Sequence, residues 1–251
     1  MRKQKTNSKI RKSAIMRKLH STIVSIVLLT VVLMACGCGS SLRYQTTVLQ
    51  DSELREELSS NLKSIYPERF KALHRVILSI YDKQIDATGY LMAYGNGEYR
   101  LLALGDFGNV FFDISSDNNK VLINKNLLKL SAKKFSKGVL KDIKATSLYV
   151  PVDQMQVAQM PDGHPVLRYT AEKETYLFIF NSNRLLEEYV ILKGGQCIYK
   201  AQFKQWKQLP GLSNQVPIVI HTTNYKLHYS LVIDVIKFEE TPFNLNTKDR
   251  Q

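Results

Sequence analysis

Apolar residues recur along the chain with two different periods, and each period predicts a different element. Over Asp51–Lys63 three leucines, Leu54, Leu58 and Leu62, stand four residues apart, as on one face of a helix. An aspartate or serine at the start can cap the amino end of that helix with a side-chain oxygen. The pattern predicts an amphipathic helix whose narrow apolar stripe packs against the sheet that follows.

A period of two replaces the helical period from Glu68 onward, and it predicts strands. One face of the first strand carries Phe70, Ala72, His74, Val76, Leu78 and Ile80. Short turns rich in Gly, Asp and Asn follow successive strands, so we expect antiparallel hairpins. The predicted strands cover residues 68–81, 85–94, 98–104, 109–114, 120–124, 166–170, 174–180, 186–193, 196–206, 218–222 and 227–238.

A second helix is predicted between the two groups of strands. Ser131–Lys144 places Phe135, Val139 and Ile143 on one helical face and lysines around the rest. Helices combined with antiparallel strands indicate the α+β class.

The apolar run Thr22–Cys36 belongs to neither pattern, because it has no charged residue. It is shorter than the ~20 residues that a helix needs to cross a bilayer. The residues before it include eight Lys and Arg and no acidic residue. This arrangement is typical of a signal peptide, with an uncleaved membrane anchor as the alternative.

The end of this run, Leu-Met-Ala-Cys at 33–36, resembles the lipobox of bacterial lipoproteins, whose Cys takes the lipid and becomes the first mature residue. Cys36 is therefore the predicted lipidation site, and Cys38 is the second choice because it lacks the upstream Leu. Several acyl chains on one residue would anchor the chain permanently. Gly37 stands where an Asp would favour the inner membrane, so we expect an outer-membrane anchor on the periplasmic face of a Gram-negative cell.

Charge and length divide the chain into three parts. Residues 1–35 hold eight of the 35 basic residues and no acidic one, so the net charge falls from +13 for the whole chain to +5 for the remainder. A basic surface for nucleic acid is therefore not predicted. We expect a signal peptide at 1–35, a lipidated tether at 36–50 and one folded domain at 51–246.

Residues able to do chemistry are scattered along the predicted domain. Cys197 is its one cysteine, so a disulfide framework is not predicted. Only His221 and His228 are close together among its histidines, and a structural cross-strand pair is favoured over a metal site, since no carboxylate or thiolate stands at matching spacing. Asp142 and Asp153 are isolated, and the G-x-S-x-G, P-loop and Rossmann patterns are absent from the sequence. We expect no catalytic residue, no metal and no cofactor.

Several stretches carry a family resemblance. They are Tyr99–Leu102, Phe107-Gly108 with Val110–Ile114 after it, Val216–Ile220, Tyr225–Leu227 and Leu231–Asp234. Together with the order of helix, strands, inserted helices and further strands on a lipidated tether, they resemble the LolA/LolB family of lipoprotein carriers and receptors over most of residues 70–238. The Lys-rich central helix and Met155–Pro165 match the receptor less closely, so the chain is most similar to uncharacterised lipoproteins related to LolB.

This resemblance implies a fold and a function. The implied fold is an antiparallel, unclosed half-pipe β-barrel with helices packed across its opening and an apolar interior. The implied function is non-enzymatic: binding of the acyl chains of a lipoprotein or lipid, with a part in lipoprotein or lipid trafficking. The alternative is an accessory or structural lipoprotein that binds another envelope protein through its sheet edge or its basic helix.

Phe107 is the residue predicted to contact the membrane or the cargo. It stands in the turn Gly105–Asn109, where two glycines and an aspartate favour a tight exposed turn, so a large apolar side chain at its tip can hardly reach the core. In the family, the matching turn also has an apolar residue before a glycine, and that residue helps to deliver cargo to the membrane. We expect Phe107 to be exposed, with folding back over the end of the sheet as the alternative.

Overall fold

A computed structural model describes residues 43–95, 98–117, 120–126, 138, 141–143, 152–210, 212 and 214–241. The chain divides into two compact units, Met1–Gln45 and Thr46–Gln251, and the second contains every described helix and strand. The predicted signal peptide and both candidate lipidation sites, Cys36 and Cys38, lie outside the described residues.

In the described residues of the second unit, one α-helix and thirteen strands are complete. The helix α1 is Ser52–Ser64, and Val152–Gln154 forms a short 3₁₀ turn. The strands are β1 Thr47–Val48, β2 Arg69–Ile80, β3 Lys83–Gly95, β4 Glu98–Leu104, β5 Val110–Asp117, β6 Lys120–Asn126, β7 Gln156–Gln159, β8 Pro165–Ala171, β9 Glu174–Phe180, β10 Leu186–Lys193, β11 Gln196–Gln208, β12 Gln215–Asn224 and β13 Tyr229–Glu240.

All thirteen strands belong to one antiparallel sheet. Their order is β1-β7-β8-β9-β10-β11-β12-β13-β2-β3-β4-β5-β6. The strands at its two ends, β1 and β6, are not paired with each other in the part of the chain that the structure describes. The predicted fold class, an antiparallel and unclosed β-barrel in an α+β protein, is confirmed.

Helix α1 forms as its sequence predicts. Asp51 caps it, because its Oδ1 accepts a hydrogen bond of 2.9 Å from the N–H of Leu54. Leu58 and Leu62 on its apolar stripe are buried, and Leu54 packs against the same cluster. The helix contacts β7 and β8 and covers a core drawn mainly from β7 to β13. A helix thus covers the core on one half of the sheet.

The other half of the sheet has a smaller core. Phe70, Leu91, Ile114 and Phe238 are buried there and pack with Ile143. A stack of three rings lies at one end of this half: the centroid of Phe70 is 5.5 Å from that of Tyr66 and 4.8 Å from that of Phe238.

The structure adds two strands that the sequence pattern did not predict. The short strand β1 lies in the segment interpreted as tether, and it pairs with β7, with Thr47 opposite Gln159. The second added strand is β7 itself. Both strands have four residues or fewer, too few for a period of two to stand out.

Strand β12 begins earlier than predicted and includes Pro217. Pairing with β13 begins only at Val219, so the proline lies where one side of β12 has no partner strand.

The predicted central helix falls mostly outside the described residues. Gly138 and the three residues Lys141, Asp142 and Ile143 are described, and their backbone is helical. In the described part of the chain, no helix is long and apolar enough to cross a membrane.

Candidate functional site: an apolar groove

An open cavity of about 340 Å³ lies on one face of β2, β3, β4, β5, β12 and β13. Aliphatic and aromatic side chains form most of its wall, among them Val76, Leu78, Ala87, Leu101, Phe112 and Ile233. Three residues from the helical segment, Gly138, Asp142 and Ile143, also line it. We call this cavity the groove.

The alternation of β2 explains how the groove acquires its floor. Phe70, His74 and Ile80 line the groove, together with Val76 and Leu78 between them. These residues belong to the face that the sequence pattern grouped together. Successive side chains of a strand point to opposite faces, so a single apolar face of β2 becomes a continuous apolar strip.

Topology places the turns after β2, β4 and β12 at one end of the sheet. Strand β13 runs antiparallel to β2, with Tyr229 opposite Ile80, so the β12–β13 turn lies beside the β2–β3 turn. Tyr81, Lys226 and Leu227 from these two turns line the groove. We call this end the mouth; the ring stack of Tyr66, Phe70 and Phe238 lies toward the other end of the strands.

Phe107 is at the same end, in the turn between β4 and β5. The backbone fixes this turn, since Gly105 N–H donates to the carbonyl of Asn109 at 2.9 Å and Gly108 N–H donates to that of Gly105 at 2.8 Å. The Phe107 side chain is 98% exposed, and Tyr81 is 84% exposed. The predicted exposure of Phe107 is confirmed. Its contact with membrane or cargo stays a prediction.

A buried carboxylate ties the helical residues to the sheet. Asp142 Oδ1 accepts hydrogen bonds from the hydroxyls of Tyr199 at 2.8 Å and Thr222 at 3.4 Å, and its Oδ2 accepts one from Tyr229 at 2.6 Å. The three donors lie on β11, β12 and β13. We call these four residues the Asp142 cluster, and it holds one short helical segment against three adjacent strands.

Burial and hydrogen bonds shift the pKa of the Asp142 carboxyl in opposite directions. Burial raises the pKa of its carboxyl to about 6, although the bonds from Tyr229, Tyr199 and Thr222 favour the charged form. Burial and the nearby carboxylate raise the pKa of the Tyr199 and Tyr229 hydroxyls well above their ordinary value. All three hydroxyls therefore remain protonated donors near neutral pH.

Sequence reasoning missed this cluster. It treated Asp142 as isolated, and the structure corrects that interpretation. Gly138 carried a usable signal, because a glycine inside a predicted helix often marks a close approach. A Cβ at Gly138 would lie 2.9 Å from the hydroxyl oxygen of Tyr229 and 3.0 Å from Cδ1 of Leu227, so the backbone at Gly138 lies directly against the start of β13.

His74 is the polar residue in the middle of the floor. It lies opposite Gly89 on β3 and Val235 on β13, and both of these residues also line the groove. Burial lowers the pKa of its imidazole to about 4, so the ring is neutral near pH 7. Among the described residues, no hydrogen bond to this imidazole is present.

The other candidate residues do not assemble into a site. His221 lies opposite Val232, and His228 occupies the β12–β13 turn with a φ of 56°, so the cross-strand histidine pair favoured by the sequence does not form. The Cys197 thiol is partly buried and donates to the carbonyl of Tyr199 at 3.4 Å. Within the described ranges, no group of three or more His, Cys, Asp or Glu could hold a metal ion.

Comparison with known proteins identifies the fold. No protein-family model matches the chain, and neither does any curated protein. A DUF1329 family protein from Desulfovibrio piger superposes with a TM-score of 0.51 at 10% identity, over 77% of this chain and 94% of that one. At this identity the likeness shows a shared fold and extends no further.

Two other solved structures superpose with slightly lower scores. A LolA superfamily protein from Nitrosomonas europaea gives 0.48 at 12% identity, over 78% of this chain and 99% of that one. A domain from Vibrio parahaemolyticus named as an outer membrane lipoprotein-sorting protein gives 0.47 at 10% identity, over 79% and 97%.

Proposed function

We propose that this protein is a lipid-anchored envelope protein that binds the acyl chains of a lipoprotein or another lipid in its groove. The observation that carries the proposal is the contrast between the two halves of the sheet. Helix α1 fills one half with a packed core, whereas the other half holds an open apolar cavity of about 340 Å³. A cavity of this size and lining is typical of a site for an apolar ligand.

The energetics of an acyl chain suit this groove. Each buried methylene contributes roughly 0.8 kcal/mol, so a chain with about ten buried methylenes gains on the order of 8 kcal/mol, which offsets the free-energy cost of association and of ordering the ligand. An unfilled apolar cavity would instead lower the stability of the fold.

The polar groups of the groove favour binding over catalysis. The carboxylate of Asp142 already accepts hydrogen bonds on both oxygens. His74 is neutral near pH 7, and in the described parts of the chain it forms no hydrogen bond with a nucleophile. General acid–base chemistry needs such groups within hydrogen-bond reach of each other, and this arrangement does not supply them.

Sequence features support the cellular setting of the proposal. The charge-free run before Cys36 supports lipidation of that residue, with Cys38 as the second choice. Gly37 supports attachment to the outer membrane on its periplasmic face. The resemblance of the sequence to the LolA/LolB family supports a part in lipoprotein or lipid trafficking, as in receptors related to LolB.

Phe107 would meet the membrane at the end of the sheet where the groove has its mouth. Its exposed ring stands on a turn fixed by backbone hydrogen bonds, and the exposed Tyr81 lies on the β2–β3 turn at the same end. Aromatic side chains are at home at the membrane interface. A lipid could then pass between bilayer and groove without crossing much water.

The test compares two substitutions on neighbouring positions of β3. Ala87 is buried and lines the groove, so Ala87→Phe fills the cavity, whereas Thr88→Phe places the same ring on the exposed, opposite face. We expect Thr46–Gln251 to retain lipid in native mass spectrometry and to bind a fluorescent fatty acid. Ala87→Phe should weaken that binding at least tenfold, and Thr88→Phe should leave it unchanged.

The accessory-lipoprotein alternative has a different signature. Among the described strands the sheet ends at β6, whose outer edge could recruit a partner strand. Crosslinking from Lys141 that repeatedly captures one envelope protein, together with no lipid uptake by the unsubstituted chain, would favour this alternative over acyl binding.

A further inference from the structure

The groove contains one polar side chain at a position where an apolar residue would serve a purely hydrocarbon ligand better. His74 stands in the middle of the β2 strip, with Ala72 before it and Val76 after it on the same face. Gly89, directly opposite on β3, has no side chain to cover the imidazole. The ring is therefore presented to the groove rather than to neighbouring polar groups.

A neutral imidazole has one N–H donor and one nitrogen acceptor. Neither has a partner among the described residues, and water that served them would be displaced when an acyl chain entered. A buried polar group without a partner is unfavourable, so a ligand that supplies a hydrogen bond at this point is preferred over one that does not.

The neutral state of His74 further restricts the chemical class of the ligand. Burial alone lowers the pKa of His74, and no charged group contributes to the shift. An ionised carboxylate beside this ring would be buried without a counter-ion, which is costly. An ester or amide carbonyl can accept the imidazole N–H without carrying charge.

We infer that His74 recognises the neutral ester or amide linkage of an acylated molecule, so that the groove takes acyl esters and amides, linkage included, in preference to free fatty acids. This inference rests on the proposed function, because it assumes that the groove binds acyl chains. It adds the chemical class of the ligand and the residue that selects it.

The test uses Thr46–Gln251, the compact unit that contains both cores and every described strand. Displacement of the apolar fluorescent probe N-phenyl-1-naphthylamine at pH 7.5 would compare methyl laurate with laurate, which share one chain length. We expect methyl laurate to bind more tightly. His74→Leu should weaken methyl laurate about three- to tenfold, the usual effect of one lost hydrogen bond, and leave laurate and the probe nearly unchanged.

Two further variants serve as controls, one for the hydrogen-bonding groups of His74 and one for a substitution elsewhere on β2. His74→Gln keeps a donor and an acceptor and should restore most of the preference for the ester. Lys71→Leu, on the opposite face of β2, should leave both ligands unaffected.

The outcomes separate the two proposals. If unsubstituted protein binds neither the probe nor either laurate compound, the proposed function fails, and this inference fails with it. If the protein binds both compounds but His74→Leu retains full affinity for methyl laurate, acyl binding stands and the role of His74 is overturned.

Discussion

At the scale of single residues, two side chains lie where a simple hydrophobic pattern would not place them. Phe107 is a large apolar residue at an exposed turn, and Asp142 is a carboxylate inside the protein. Exposing an aromatic ring to water and burying a carboxylate are both unfavourable for a fold taken alone. Attachment of the helical segment accounts for the buried Asp142, and the proposed membrane contact would account for the exposed Phe107.

Phe107→Glu should separate function from folding. The ring is 98% exposed, so losing it should leave the melting temperature nearly unchanged. A charge at the tip of the turn resists entry into the acyl region of a bilayer, so co-sedimentation of Thr46–Gln251 with phospholipid vesicles should fall severalfold.

Asn183→Glu is the matched control for this substitution. It adds the same charge to an exposed residue of the β9–β10 turn, at the opposite end of the sheet, and should leave vesicle binding unchanged. A Phe107 variant that loses several kcal/mol of stability, the usual range for a buried Phe, would show that this ring belongs to the core and would contradict its role in membrane contact.

At the scale of elements, the two helical segments serve the sheet differently. Helix α1 buries Leu58 and Leu62 and completes a packed apolar core. The segment around Asp142 is attached by three hydroxyl groups and lines the open groove instead. The apolar packing of α1 does not itself depend on pH, whereas the attachment at Asp142 depends on the charge of one carboxyl group.

The Asp142 cluster should give the stability of the protein a measurable dependence on pH. The folded pKa of about 6 lies above the ordinary value of 3.8, so the native state binds the proton more tightly. The stabilisation is fully present below about pH 4 and is lost as the pH rises through 6. The free energy of unfolding of the unsubstituted protein minus that of Asp142→Asn should therefore fall by about 2 to 3 kcal/mol between pH 4 and pH 7.

The difference in unfolding free energy between the two proteins is the quantity to measure, because His74 changes the stability of both with pH in the opposite direction. Its pKa is lowered to about 4, so its own contribution to stability increases as the pH rises. Urea unfolding at several pH values measures the difference. Tyr229→Phe removes a bond that lowers the Asp142 pKa and should move the transition to higher pH. A difference that stays constant from pH 4 to pH 7 would contradict the assignment.

At the scale of the whole molecule, an unclosed sheet has one packed half and one open half. Opening one half sacrifices apolar burial, so the packed half must supply much of the stability of the domain. A ligand that binds only the folded state would add to that stability.

The proposed anchor makes a prediction for the complete chain. Cys36→Ser should leave an uncleaved and unlipidated precursor, because the thiol accepts the acyl group and a serine hydroxyl is a far weaker nucleophile. Labelling of cells with radioactive palmitate, followed by electrophoresis, measures both effects. Incorporation that persists in Cys36→Ser and disappears in Cys38→Ser would move the lipidation site to Cys38.

The sequence alone determined the local features of this fold. The four-residue spacing of leucines predicted α1, and the period of two predicted most strands, three of them with the observed bounds: Glu98–Leu104, Glu174–Phe180 and Leu186–Lys193. The turn chemistry around Phe107 left exposure and folding back as open alternatives, and the family resemblance decided for exposure. These features depend on residues a few positions apart, so a linear pattern can carry them.

Only the tertiary structure decided which apolar face became a core and which became a groove. The pattern of β2 is the same in either case, because it records the alternation of faces and not what covers them. The Asp142 cluster joins residues 57, 80 and 87 positions apart, a distance over which no sequence period operates. The open groove and the buried carboxylate that fastens its helical wall therefore follow from long-range packing, which brings distant strands and one helical segment together.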